Sequence, residues 1–138
     1  MKIVILLLLT SFFWGLAPIF DKLAIDRANP FVGTTVRTVI VALMLLMAVV
    51  ITGKSKEMFE MDGRALFYFT LSGLVAGCIG VYTYYAALKM GETSRIVPLA
   101  ATYPLVTAVL SVIFLKESVS LERIIGIILI VTGIWFVK

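Results

Sequence analysis

The residues of this sequence that could bind a ligand are a few polar and aromatic side chains set inside long apolar segments. Arg37 lies within the apolar stretch that runs from Phe31 to Gly53, and it is the deepest charge in the sequence. Ionisable groups in such segments usually face other protein groups, pair with an opposite charge and mark a pathway. Asp21 and Asp26 are the candidate partners, because they lie near the same membrane face. A structural Asp–Arg pair and direct contact between Arg37 and a substrate are equally compatible with this pattern.

A second group of residues shares one face of the first apolar segment. Trp14, Pro18 and Asp21 are separated by four and three residues, so on an α-helix they lie in register with Ser11. Gly15 and Pro18 also weaken the helix there, and broken transmembrane helices often line transporter sites. We interpret this face as the wall of a cavity. The alternative is that Trp14 packs against other helices and Asp21 caps the helix at the membrane surface.

Tyrosines and prolines mark the third and fourth apolar segments. Tyr82 and Tyr85 either belong to the aromatic belt at the membrane surface or offer rings and hydroxyls to an organic substrate. The fourth segment contains Pro98 and Pro104 together with Tyr103. Prolines free backbone carbonyls that must be satisfied locally, and lipid-facing helices rarely allow this. We therefore expect the fourth segment to face the inside of the protein.

The sequence gives no support for an enzyme. It contains no histidine, which removes the commonest proton shuttle and metal ligand. It also lacks a phosphate-binding loop, a cluster of metal-ligand residues and a nucleophile–base pair, so we expect no cofactor and no metal. The net charge of +4 comes from basic residues dispersed along the chain, which is typical of anchors at membrane surfaces and not of a nucleic-acid partner.

The elements that position these residues are membrane-spanning helices. Apolar residues make up 62% of the chain and the mean hydropathy is +1.12. A helix needs about 20 apolar residues to cross a bilayer, and helices satisfy every backbone group in lipid. The Asn29-Pro30 pair is typical of a helix start. We predict an all-α polytopic membrane protein, a five-helix bundle forming one domain over residues 1–138, with spans at about 3–23, 31–53, 65–88, 96–115 and 121–137.

The basic residues between the spans give no clear preference for one orientation. Lysine and arginine in short loops normally decide which face of a membrane protein is cytoplasmic. Five crossings would divide the 12 basic residues equally between the two faces. One face carries Lys2, Lys54, Lys56, Arg64, Lys116 and Arg123, and the other carries Lys22, Arg27, Arg37, Lys89, Arg95 and Lys138. If Arg37 is counted as intramembrane, the division is six to five. This balance predicts dual topology, in which two copies insert in opposite directions as an antiparallel homodimer.

Several stretches along the chain carry a resemblance to a known family. They are Trp14-Gly15, Lys22, Pro30, Arg37, Tyr84-Tyr-Ala-Ala-Leu-Lys-Met-Gly91, Ser94-Arg-Ile-Val-Pro98-Leu, Pro104, Glu117 and Gly126-Ile-Ile-Leu-Ile-Val-Thr-Gly133. Together they resemble the EamA family of the drug/metabolite transporter superfamily over essentially all 138 residues.

The resemblance implies a fold built from two five-helix domains in tandem, arranged as inverted repeats around a central cavity. This chain then corresponds to half of such a ten-helix transporter, completed by a second, inverted copy or by an oppositely oriented paralogue. The resemblance also implies the cytoplasmic (inner) membrane of a prokaryotic cell as its location. It places near the cavity Trp14, Arg37, Tyr82, Tyr85, Pro98 and Tyr103. Asp21 and Arg37 remain candidates for an ion pair or for coupling.

Three functions follow as hypotheses. The first is a transporter that moves small organic metabolites, such as amino acids or amines, by alternating access. The second is a subunit of a lipid-linked-sugar flippase, which would open sideways to lipid. The third is a membrane assembly factor that transports nothing and has a dry, sealed interior.

Overall fold

The computed structural model describes residues 1–137, and within this range it is all helical, with no strand. The helices are α1 (Lys2–Ile25), α2 (Pro30–Ile51), α3 (Ser55–Phe59), α4 (Gly63–Ser72), a π-helical segment (Gly73–Gly80), α5 (Val81–Met90), α6 (Thr93–Ala100), α7 (Tyr103–Leu115) and α8 (Leu121–Trp135).

Four helical stretches of the described residues are long and apolar enough to cross a membrane. They are Lys2–Ile25, Pro30–Ile51, Gly63–Met90, which runs through α4, the π segment and α5, and Thr93–Leu115, which runs through α6 and α7. This finding confirms the prediction of an all-helical membrane protein. The fifth predicted crossing corresponds to α8, which has 15 residues. Since a span needs about 20 residues, the five-helix count stays a prediction.

Local sequence explains where these helices begin. The side chain of Asn29 accepts a hydrogen bond of 2.9 Å from the backbone N–H of Phe31, and Pro30 occupies the first turn of α2. Pro fits there because its missing N–H would have no partner inside the helix. At α4 a carboxylate oxygen of Asp62 accepts from the backbone N–H of Arg64 at 3.0 Å. Both side chains satisfy donors that the first turn leaves free.

Two of the membrane-length helices are irregular in the middle. In the third, the π segment Gly73–Gly80 replaces ordinary α-helical bonding over eight residues. π-Helical segments are rare and occur frequently at functional sites. The fourth contains Pro98 inside α6 and breaks between Ala100 and Tyr103. The Thr102 hydroxyl donates a hydrogen bond of 2.9 Å to the Leu99 carbonyl at this break, so part of the freed backbone is satisfied locally.

Residues Met1–Met90 form one compact unit. A four-residue turn reverses the chain between α1 and α2, and α5 packs against both helices. The packed core lies at the end of the unit that contains this turn, where Ile25 is 1% exposed and Leu88 is fully buried. Gly33 permits this close approach, because a Cβ there would lie 3.3 Å from Cδ1 of Ile25 and 3.6 Å from the ring of Tyr85. Most residues of α1, α2 and α4 away from this end are exposed in the single chain.

The second unit contains α6, α7 and α8. Its last two helices pack together and are joined by a short connection that begins at Lys116. Lys116 has φ 54°, in the left-handed region, and directly follows the last residue of α7. This conformation is the common way to end an α-helix. At the start of α8 the Ser120 hydroxyl accepts a hydrogen bond of 3.4 Å from the backbone N–H of Arg123.

Candidate functional site

Three hydrogen bonds between helices gather at the packed end of the first unit. The Tyr85 hydroxyl donates to Oδ1 of Asp21 at 2.6 Å. Nζ of Lys22 donates to the Leu88 carbonyl at 3.0 Å, and Nζ of Lys89 donates to the Ala28 carbonyl at 2.6 Å. Each bond joins α5 either to α1 or to the turn that follows it. We call the side chains of Asp21, Lys22, Tyr85 and Lys89 the polar seal.

The two lysines of the polar seal each donate to a backbone carbonyl. The last four carbonyls of a helix lack partners within it, and the helix dipole makes this end favourable for a cation. Leu88 lies in the last turn of α5, and Lys22 of α1 supplies the cation to its carbonyl. Lys89 donates to the carbonyl of Ala28, which lies in the turn between α1 and α2. α1 and α5 supply one lysine each, so separating the two helices would leave both carbonyls without these donors.

A cavity of about 460 Å³ lies between α1, α2 and α5, directly beside the polar seal. Most of its wall is apolar, and its ionisable side chains are Asp21, Arg37 and Tyr85. A volume of this size accommodates a small organic molecule, and a mostly apolar wall with a few polar groups is typical of ligand pockets. The three residues were all predicted from the sequence, and the fold brings them together.

Arg37 lines this cavity without pairing with either of its predicted partners. Asp21 accepts the hydrogen bond from Tyr85, and Asp26 forms an ion pair of 2.9 Å with Lys22. Among residues 1–137, no carboxylate lies within 4.0 Å of the Arg37 guanidinium. A charged side chain at the centre of a membrane span costs about 2.5–3.5 kcal/mol when it is introduced there. The pairing of Arg37 with an aspartate therefore stays a prediction, and its guanidinium is available to another group.

Tyr82 lies apart from the polar seal. It borders a second cavity of about 450 Å³, between α2 and the π segment, with Thr34, Thr38 and Cys78. The Tyr82 ring contacts the Phe31 ring edge to face, with 6.2 Å between the ring centroids. The two tyrosines predicted for one site thus face two different cavities of the same unit.

The remaining predicted site residues lie on other stretches of helix. Trp14 is 65% exposed and lies seven residues before Asp21, about 10 Å along α1. Pro98 lies inside α6, and Tyr103 is the first residue of α7. Those two belong to the second unit. Their roles as substrate contacts stay predictions.

Hydropathy and residue spacing do not indicate the roles of two lysines and one tyrosine of this region. They mark Lys22 and Lys89 as anchors at the membrane surface, because hydropathy indicates helix ends and not the partners of the charges there. They do not single out Tyr84, whose hydroxyl is buried and has no hydrogen-bond partner among the described residues. One signal in the sequence does indicate this region. Polar and charged residues lie near the ends of two spans, Asp21-Lys22 in the first and Tyr85 and Lys89 in the third, where they can bond to one another's helices.

Membrane-length helices, with Arg37 and Asp21 lining a mostly apolar cavity between them, define an integral membrane protein. The chain belongs to the EamA-like transporter family, which matches residues 1–138. This finding confirms the family that the sequence motifs indicated. It also makes the chain a member of a family of membrane transporters.

Its relatives have two different lengths. An uncharacterized transporter in the cobO 3′ region of a Sinorhizobium species is 31% identical over 126 residues, covering 91% of this chain and 89% of that protein. An uncharacterized protein of Methanocaldococcus jannaschii is 34% identical over 131 residues, covering 95% and 92%. An uncharacterized transporter of Archaeoglobus fulgidus is 30% identical over 141 residues, covering 97% of this chain but 46% of that protein. No solved structure matches the chain.

Proposed function

We propose that this protein moves small organic metabolites, such as amino acids or amines, across the cytoplasmic membrane of a prokaryotic cell by alternating access. The observation that carries the proposal is the cavity of about 460 Å³ next to the polar seal, inside helices of membrane length. A transporter needs a site that water reaches from one face at a time. Such a site must be closed toward one face, and the hydrogen-bonded helices beside this cavity close it at one end. We propose no enzymatic activity for the chain.

The proposed assembly is an antiparallel homodimer, in which each copy supplies five helices of a ten-helix transporter. The relatives support this arrangement through their lengths. The chain covers 89% of the Sinorhizobium protein but 46% of the A. fulgidus protein, so the longer relative has room for a second domain of the same size. The equal division of basic residues supports insertion in both directions. An oppositely oriented paralogue is the alternative partner.

The polar seal acts as one of the two gates in this mechanism. Its three hydrogen bonds hold α5 against α1 and the following turn, and opening requires all three to break. The π segment lies directly before α5 in the same membrane-length helix, so it provides the irregular joint at which α5 can tilt. In an inverted pair the same contacts in the second copy form the gate on the opposite face.

Two measurements test this proposal. Reporters fused to the C-terminus, one active only in the cytoplasm and one only outside it, should both give signal if the chain inserts in two orientations. Signal from a single side overturns the homodimer and leaves the paralogue arrangement. Liposomes that contain the purified protein should release preloaded amino acids or amines faster than equally loaded liposomes without protein. Translocation of a lipid-linked sugar with no flux of soluble compounds would instead identify a flippase subunit.

A further inference from the structure

We propose that Arg37 binds an anionic group, a carboxylate or a phosphate, of the molecule that occupies the cavity between α1 and α2. The inference rests on the proposed function, because it names the chemistry by which a transported molecule is recognised. It concerns one residue. It predicts that Arg37 strengthens the binding of anions and not of the neutral and cationic compounds that the same cavity could admit.

The position of Arg37 is the first step of the argument. It is the eighth residue of α2, so it lies about 10 Å along the helix from Pro30. This depth places the start of its side chain within the apolar part of a span, where an unpaired charge is unfavourable. Arg remains protonated in proteins, so the guanidinium cannot avoid the cost by losing its charge. A counter-charge, a polar ligand or water reaching in from the membrane surface must therefore solvate it.

The carboxylates of the same region do not pair with Arg37. Tyr85 donates to Oδ1 of Asp21, and Lys22 pairs with Asp26. Asp21 and Arg37 line one cavity but lie on different helices, α1 and α2, and no ion pair joins them among the described residues. Asp21 keeps free acceptor capacity at Oδ2, whereas the guanidinium is the cationic group of the cavity and the group there that can donate to an anion. Its planar fork of N–H donors suits the two oxygens of a carboxylate or phosphate.

The anionic group has two sources, a soluble organic molecule or the headgroup of a lipid. The cavity is open, and exposed apolar residues such as Val36 and Ile40 surround Arg37 on α2. Both sources present the same chemistry to the guanidinium. The experiment must therefore contain one arm for each source.

The full chain in a neutral detergent provides the binding assay, with thermal unfolding at increasing probe concentration as the readout. The soluble probes share one carbon skeleton: butyrate, monobutyl phosphate, butyramide and butylamine. The lipid arm compares nanodiscs of phosphatidylglycerol with nanodiscs of phosphatidylcholine. The variants are Arg37→Gln and Arg37→Lys. Arg64→Gln is the matched control, because Arg64 lies in the first turn of α4 and outside the cavity.

We expect at least one anionic probe to stabilise the wild-type chain and R64Q, and to bind R37Q about tenfold more weakly. R37K should fall between them, since an ammonium keeps the charge but loses the fork of donors. Butyramide and butylamine should not distinguish R37Q from wild type. A response to the free anions identifies a soluble ligand, and a response to phosphatidylglycerol alone identifies a lipid headgroup.

Equal binding of every anion to wild type and R37Q overturns the inference, as does an absence of any response to anions in both arms. So does loss of dimer in R37Q without any change in anion binding, because the guanidinium then pairs within the assembly. If R37Q does not fold, R37K decides: weaker binding of monobutyl phosphate supports the inference, and unchanged binding overturns it. Binding in detergent requires no transport, so a chain that binds anions but shows no flux in liposomes contradicts only the proposed function.

Discussion

The Tyr85 hydroxyl donates a hydrogen bond of 2.6 Å to Oδ1 of Asp21, and this bond joins α5 to α1 through two residues that are 64 positions apart in sequence. It holds α5 against α1, and its acceptor is one of the two aspartates predicted to pair with Arg37. The same contact therefore joins the packed end of the helices to a carboxylate that lines the cavity. In the proposed mechanism, breaking it loosens a gate and removes a hydrogen bond from that carboxylate in one step.

Removing this hydroxyl is the first test of that link. In Tyr85→Phe the ring remains but the bond to Asp21 is lost, and we expect the free energy of unfolding to fall by about 1.5–3 kcal/mol, because a hydrogen bond to a carboxylate is lost. Thermal unfolding of the purified protein in detergent measures the loss. Tyr82→Phe is the matched control, since the Tyr82 ring contacts Phe31 and its hydroxyl makes no hydrogen bond within the described residues. Equal losses in the two variants would show that the Tyr85–Asp21 bond does not hold the helices together.

The membrane-length helices could be predicted from the sequence because their signal is local. Hydropathy over about 20 residues indicates a span, and Asn29-Pro30 indicates a helix start through the capping chemistry of adjacent residues. The structure has Asn29 accepting from Phe31 at that position. These features depend on neighbours in the chain, so a single sequence contains them.

The contacts of the site could be predicted only in part, because they depend on the register between helices. Arg37, Asp21 and Tyr85 were recognised as polar residues within or near spans, but their mutual geometry was not. Lys22 and Lys89 bond to backbone carbonyls, and a backbone carbonyl leaves no mark in the sequence. Tyr82 and Tyr85 both lie in α5, about 60° apart around the helix axis, and they border different cavities because different neighbouring helices pack on either side of them.

Neutralising the two lysines of the polar seal should open the end of the first unit. In the double variant Lys22→Gln, Lys89→Gln the backbone carbonyls of Leu88 and Ala28 lose their cationic donors, and one ion pair is lost as well. We expect backbone amides of the last turn of α5 to exchange with solvent several-fold faster, measured by hydrogen exchange and mass spectrometry. Lys56→Gln is the control, because its pairing with Glu60 at 3.7 Å is exposed and joins no second helix. Unchanged exchange in the double variant would contradict a gate at this end.

The close approach at Gly33 predicts a strong effect of size at that position. A Cβ at Gly33 would already lie 3.3 Å from Ile25, so the side chain in Gly33→Leu must displace Ile25 or Tyr85. We expect a loss of about 1–3 kcal/mol in the free energy of unfolding, the usual cost of overpacking. Gly15→Leu is the matched control, because a Cβ at Gly15 meets nothing within 4 Å. Thermal unfolding in detergent compares the two, and a Gly33→Leu protein as stable as Gly15→Leu would show that the helices separate there without cost.

The antiparallel assembly predicts that two variants with opposite fixed orientations complement each other. Lys54→Gln with Lys56→Gln removes two basic residues from one predicted face, and Arg27→Gln with Arg95→Gln removes two from the other. The six-to-six balance becomes four to six in each case, with opposite sign, so each double variant should insert in one main direction. All four residues lie outside the polar seal.

We expect each variant alone to lose most transport activity and their co-expression to restore it, measured as export from cells or flux in liposomes. Reporters at the C-terminus confirm the fixed orientations. Full activity of either variant alone, once its single orientation is established, would mean that transport does not need two inverted copies.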